Sequence, residues 1–173
     1  MLLLLGGSSA LHAQARPTAS RLADVQVGAG FTFGSADYVP GTSLGISAYA
    51  DIDLHPHLGA ELAFHQINSP DSHGSFQRTY EIGARYFRTY GALVPYVRGM
   101  YGRGQFTYPY GLSELSYNMF SAGAGADYKI NDYLHVRADY EFQKWTSFPN
   151  GGLTPQLVTI GVAYHFGGKS LRP

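Results

Sequence analysis

From Asp24 to Phe166 the chain alternates apolar and polar side chains in segments of about ten residues, a period of two that belongs to extended strands and to no helix. In the first segment Val25, Val27, Ala29, Phe31 and Phe33 share one face, and Asp24, Gln26, Gly28, Gly30 and Thr32 share the other. The second sets Leu44, Ile46, Ala48, Ala50 and Ile52 against Ser43, Gly45, Ser47, Tyr49 and Asp51. A third, Leu58 to Ile67, opposes Leu58, Ala60, Leu62 and Phe64 to Gly59, Glu61, Ala63 and His65, and a fourth opposes Tyr80, Ile82, Ala84 and Tyr86 to Thr79, Glu81, Gly83 and Arg85. In the fifth, Leu93 to Arg103, Val97, Gly99 and Tyr101 face away from Arg98. The remaining segments are Phe120 to Lys129, Leu134 to Gln143 and Val158 to Phe166, so the pattern predicts eight strands. Longer links (Gly34 to Gly41, Asn68 to Ser75, Gly104 to Leu115, Lys144 to Thr154) alternate with short turns near Asp53-His57, Arg88-Ala92 and Asn131-Asp132, as in an up-and-down meander.

Alternation does not say which face is wet. A water-soluble barrel would turn its apolar face inward and fill it with large interlocking side chains, but here that face is often alanine, at Ala48, Ala50, Ala122, Ala124, Ala126 and Ala138. Acyl chains fill any relief, so a lipid-facing surface tolerates small residues. Charged residues make up 14% of the chain, well below the roughly 25% of soluble domains, and lysine occurs only at Lys129, Lys144 and Lys169. No stretch reaches the roughly 18 to 20 apolar residues of a spanning helix, and only helices and closed barrels satisfy their backbone groups in lipid. The sequence therefore predicts an all-β, eight-stranded antiparallel up-and-down transmembrane β-barrel.

The polar face then becomes the lumen, where charges need partners. Glu61, Glu81, Asp127, Asp139 and Glu141 are expected to pair with Arg85, Arg98, Lys129 and Arg137 in an interior polar network that fills the barrel and leaves no continuous pore. Aromatics at strand ends suggest two interfacial girdles: Phe31, Phe33, Tyr101, Phe106, Phe142 and Trp145 at the outer ends, and Tyr86, Tyr90, Tyr128, Tyr133, Tyr164 and Phe166 at the inner.

Residues 1–15 carry Leu2-Leu3-Leu4-Leu5 and end in Ala13-Gln14-Ala15, the A-x-A triplet of a signal peptide cleaved after Ala15. The barrel is expected over residues 16–166, and residues 167–173 as a short C-terminal periplasmic tail. Cysteine is absent, which excludes disulfides, thiolate nucleophiles and sulfur-ligated metals. Net charge is +0 with no basic run, so no nucleic-acid partner is expected.

The run Phe120-Ser121-Ala122-Gly123-Ala124-Gly125-Ala126-Asp127-Tyr128, the segment Val136-Arg137-Ala138-Asp139-Tyr140-Glu141-Phe142 and the closing strand Val158 to Phe166 resemble the small outer-membrane β-barrel proteins of the OmpA transmembrane-domain, OmpX and opacity-protein type. The resemblance implies a place in the bacterial outer membrane among its lipids and lipopolysaccharide. It also implies recognition of the terminal Tyr164-His165-Phe166 by the barrel-assembly machinery, and extracellular loops that meet surface partners.

Chemistry-bearing residues are few. Some small outer-membrane barrels modify lipid A with His, Ser and an acid near the lipid face; the candidates here are His65 with Ser69 beside Glu61, without the His-x-Ser arrangement. His55-Pro56-His57 and Asp71-Ser72-His73 lack the further ligands of a metal site. The Gly-x-Gly pairs lie in strands and open no helix, which excludes a phosphate loop. No catalytic residue, cofactor or metal is expected. The function expected is that of a non-enzymatic barrel acting structurally or through its loops, with a lipid A deacylase or acyltransferase, or a small-solute pore, as alternatives.

Overall fold

The computed structural model describes residues 24–35, 41–68, 76–107, 114–146 and 152–166. Eight antiparallel strands follow one another: β1 (Asp24–Ser35), β2 (Thr42–His55), β3 (Leu58–Asn68), β4 (Phe76–Phe87), β5 (Leu93–Thr107), β6 (Glu114–Lys129), β7 (Leu134–Trp145) and β8 (Gln156–Phe166). Each pairs with its sequence neighbours, and β8 returns to β1 to close the barrel. Closure leaves no unpaired strand edge, the condition for a sheet to survive in hydrocarbon. The seam runs from Val25↔Phe166 to Ser35↔Gln156, and inside it the hydroxyls of Thr32 and Thr159 share a 2.9 Å hydrogen bond.

The short turns gather at one end of the cylinder, here the turn end, and the strand ends that the longer links join gather at the other, the link end. Pro56-His57 joins β2 to β3 next to a register shift between Asp53 and His55, and Asn131 organises the β6–β7 turn by accepting the backbone N–H groups of Tyr133 and Leu134 through Oδ1. Pairing extends further into one link than the polar composition suggests. β5 and β6 stay laddered through Gly104↔Tyr117 and Phe106↔Leu115 to Thr107↔Glu114, because Phe106 and Met119 find an apolar site inside the barrel that rewards continued strand structure.

The outer wall is apolar over its whole circumference: Phe31, Ile46, Leu62, Ile82, Val97, Phe120, Tyr140 and Ile160 are all exposed, Phe31 by 63%. A hydrocarbon belt of this extent far exceeds the patches that soluble proteins leave in water. The lumen holds the polar side chains. At the link end it is capped by Phe106, Met119, Trp145 and Leu153, and at the turn end Phe87, Val94 and Tyr96 pack together. Two aromatics expected in the girdles therefore lie elsewhere: Phe106 is 5% and Trp145 0% exposed, both inside the barrel. Their inward parity packs them against Met119, and the Trp145 indole fills the space left by Gly104, where a Cβ would collide with it. The other expected girdle residues, from Phe31 to Phe166, are exposed, Tyr90 and Tyr133 in turns and the rest on strands of the outer wall.

Candidate functional site: a charged layer across the lumen

Inward positions of neighbouring strands sit side by side in register, and in two places this sets like charges opposite each other. Asp51 of β2 faces Glu61 of β3, and Arg85 of β4 faces Arg98 of β5. Directly opposed like charges destabilise a sheet unless each finds a counterion elsewhere. Inside a narrow cylinder that counterion must come from across the lumen.

The side chains do reach across. Arg85 pairs with Asp51 and stands 3.4 Å from an oxygen of Asp127. Arg98 pairs with Glu61 and donates to Glu141 at 2.6 Å and Asp139 at 3.2 Å. Arg137 is fully buried: its Nε donates to Asp127 at 2.7 Å, Nη2 reaches Asp51, and Nη1 lies 3.4 Å from Glu61. Its guanidinium also lies over the Tyr49 ring, 3.8 Å from the centroid, and 4.8 Å from that of Tyr96, whose hydroxyl donates to Asp139 at 2.9 Å. Tyr49 lies flat against the wall because Gly28 stands opposite it on β1, where a Cβ would collide with the ring. Planar guanidinium groups suit this task, since each offers several donors in a fixed fork.

The structure thus brings seven of the nine expected interior residues into one layer: Glu61, Arg85, Arg98, Asp127, Arg137, Asp139 and Glu141. Glu81 stands nearer the link end, accepting from Thr79 at 2.9 Å, Ser121 at 2.6 Å and Gln143 at 3.2 Å. Lys129, the last residue of β6, is half-buried at the rim of a cavity at the turn end. Asp51 belongs to the layer although the sequence singled it out only as polar; like Asp127 and Arg137, it has inward parity. The charges therefore balance differently from the sequence expectation. With Asp51 included and Lys129 at the rim, the five carboxylates of the layer share three guanidinium groups.

Above this layer a hydrogen-bonded column runs from Trp145 Nε1 to Gln143 Oε1 at 3.0 Å, then from Gln143 Nε2 to Glu141 at 2.8 Å. Below it a cavity of about 530 Å³ opens at the turn end, lined by Asp24, Gln26, Asp53, His135 and His165 among others. There His165 Nε2 meets Asp24 at 2.7 Å, His135 Nδ1 meets Gln26 Oε1 at 2.7 Å, and the two imidazoles stack with centroids 5.2 Å apart. His55 and His57 also line this cavity.

His65, the candidate for ester chemistry, points into the lumen and is 3% exposed, turned away from lipid. Its expected partner Ser69 lies outside the described residues, as do Asp71, Ser72 and His73, residues 1–15 and residues 167–173.

A family model for the outer membrane protein β-barrel domain matches residues 1–166. Comparison with curated proteins found no match in sequence. Among solved structures, Neisserial surface protein A superposes with a TM-score of 0.68 at 13% identity, over 82% of this chain and 96% of that one. The outer membrane protein OprG of Pseudomonas aeruginosa gives 0.62 at 12% identity, over 83% and 96%. Ail, the attachment invasion locus protein of Yersinia pestis, gives 0.56 at 15% identity, over 83% and 97%. At these identities the likeness is one of fold. A closed eight-stranded cylinder, a continuous apolar outer wall and the family match lead to one conclusion: this chain belongs to the outer membrane protein β-barrel domain family and resides in the bacterial outer membrane.

Proposed function

We propose that this is a non-enzymatic barrel with a filled interior, which reinforces the outer membrane and presents its link-end segments to partners outside the cell. One observation carries the reading: Arg137, Glu61, Glu141, Gln143 and Trp145, all less than 2% exposed, occupy successive levels of the lumen and leave little room for a solute path. The enzymatic alternative has little support from geometry, because an imidazole turned into the lumen cannot meet an acyl ester in the surrounding leaflet. In this reading the leader is removed after Ala15, the turns face the periplasm, and the interior network acts structurally.

Ail appears in a complex with the heparin analogue sucrose octasulfate. In this chain the sequence segments that link the strands, 36–40, 69–75, 108–113 and 147–151, contain no Lys or Arg and include Tyr38, Tyr108, Tyr110 and Phe148. That composition favours aromatic and backbone contacts over a sulfated polyanion, whose binding calls for cationic groups. Expressing the chain should leave the lipid A mass spectrum unchanged, and the reconstituted protein should be silent in planar bilayers. Loss or gain of an acyl chain, or stepwise conductance, would overturn the proposal.

A further inference from the structure

Between the apolar cap and the guanidinium layer, three metal-ligating side chains from three strands converge. One ligand atom from each of His65 (β3), Glu81 (β4) and Glu141 (β7) lies within 4.8 Å of the other two, and all three residues are buried. His65 is the informative member. Neither of its ring nitrogens has a hydrogen-bond partner among the described residues, and Nε2 stands 3.8 Å from Glu141 Oε2. An imidazole always carries a lone pair or an N–H that demands a partner when shut away from water, and the neighbouring side chains among the described residues do not supply one. Glu81 is the second anomaly, since among the described residues its hydrogen bonds come from the neutral donors Thr79, Ser121 and Gln143 and from no guanidinium. The surplus of carboxylates over guanidinium groups leaves this part of the lumen short of positive charge.

We propose that His65, Glu81 and Glu141 bind one divalent transition-metal cation of the Zn²⁺ or Mn²⁺ class as a structural ion inside the barrel. One imidazole nitrogen with carboxylate oxygens suits such ions, whereas Ca²⁺ prefers oxygen alone and Cu(I) prefers sulfur. Ligands about 2.0–2.2 Å from zinc stand roughly 3.4 Å apart, so the three side chains close by about an ångström on binding, and water completes the coordination. Arg98, which donates to Glu141 at 2.6 Å, is itself neutralised by Glu61 and Asp139. A bound cation offsets two of the surplus negative charges and gives the His65 ring its missing partner. Closed off by Phe106, Met119 and Trp145 on one side and by the guanidinium groups on the other, the ion enters as the barrel closes and exchanges slowly.

The exported chain is refolded into detergent with a chelator, or with Zn²⁺ or Mn²⁺, then passed through gel filtration and assayed for metal by mass spectrometry. About one ion per folded chain is expected to survive, to fall at least tenfold in His65→Gln and Glu81→Gln, and to persist in the double variant His55→Ala/His57→Ala at the rim. X-ray absorption on the zinc-loaded wild type is expected to show a light-atom shell with imidazole scattering, a readout that does not require the variants to fold. Wild-type protein holding no more of either metal than folded His65→Gln would overturn the proposal, as would loss that follows the rim histidines or a spectrum without imidazole.

Discussion

Replacing Arg137 with methionine is expected to destabilise the lipid-inserted barrel by about 3–5 kcal/mol, measured as the loss of unfolding free energy in urea. Methionine keeps much of the side-chain volume but supplies none of the donors, so Asp127, Asp51 and Glu61 lose the group that joins them. The Tyr49 ring loses the cation held against its face as well. An exposed pair would cost less than about 1 kcal/mol, so the size of the loss separates a closed interior network from a wet one. Combining Arg137→Met with Asp127→Asn should restore part of the stability, because the second change removes one of the stranded charges.

A second large effect is expected on the outer wall, where it depends on depth. Ile82, near the middle of β4 and 58% exposed, should lose about 2–4 kcal/mol on replacement by arginine in vesicles, the cost of a cation at the bilayer midplane. Leu54 is just as exposed but stands beside the β2–β3 turn, and Leu54→Arg should cost about 1 kcal/mol or less. On a water-facing wall both substitutions would be nearly neutral. Equal small costs at the two positions would therefore remove the bilayer from the explanation.

Much of this architecture was legible from parity alone. Val158, Ile160 and Val162 alternate with Leu157, Thr159 and Gly161, and once the alanine-rich face is assigned to lipid every other residue of the strand follows. Parity also contained the answer for Trp145 and Phe106. Trp145 shares the phase of Arg137, Asp139, Glu141 and Gln143, and Phe106 that of Arg98, Met100 and Gly104, so both belong inside; the tendency of aromatics to mark membrane interfaces pointed the other way. Near a barrel end the lumen still needs an apolar stopper, and position within the strand does not distinguish a stopper from a girdle. The pairing of charges was less accessible. Which acid meets which arginine depends on strand register and on reach across the lumen, and the opposition of Asp51 to Glu61 appears only when two strands are aligned. Lys129 shows a related limit: its phase is inward, but the last residue of a strand opens onto the rim rather than the packed interior.

Trp145, the single tryptophan of the chain, provides a fluorescent reference inside the cylinder, and Trp145→Phe clears the background for others. Tryptophans placed one at a time at Val158, Ile160 and Val162 in that background, with the protein in vesicles containing brominated acyl chains, test the orientation of the two faces. Strong quenching is expected at all three, greatest near the strand centre, with little at the native Trp145. If the new tryptophans resist quenching while Trp145 responds, or if the chain stays folded in buffer without lipid or detergent, the apolar wall does not face the membrane and the barrel is not the one described.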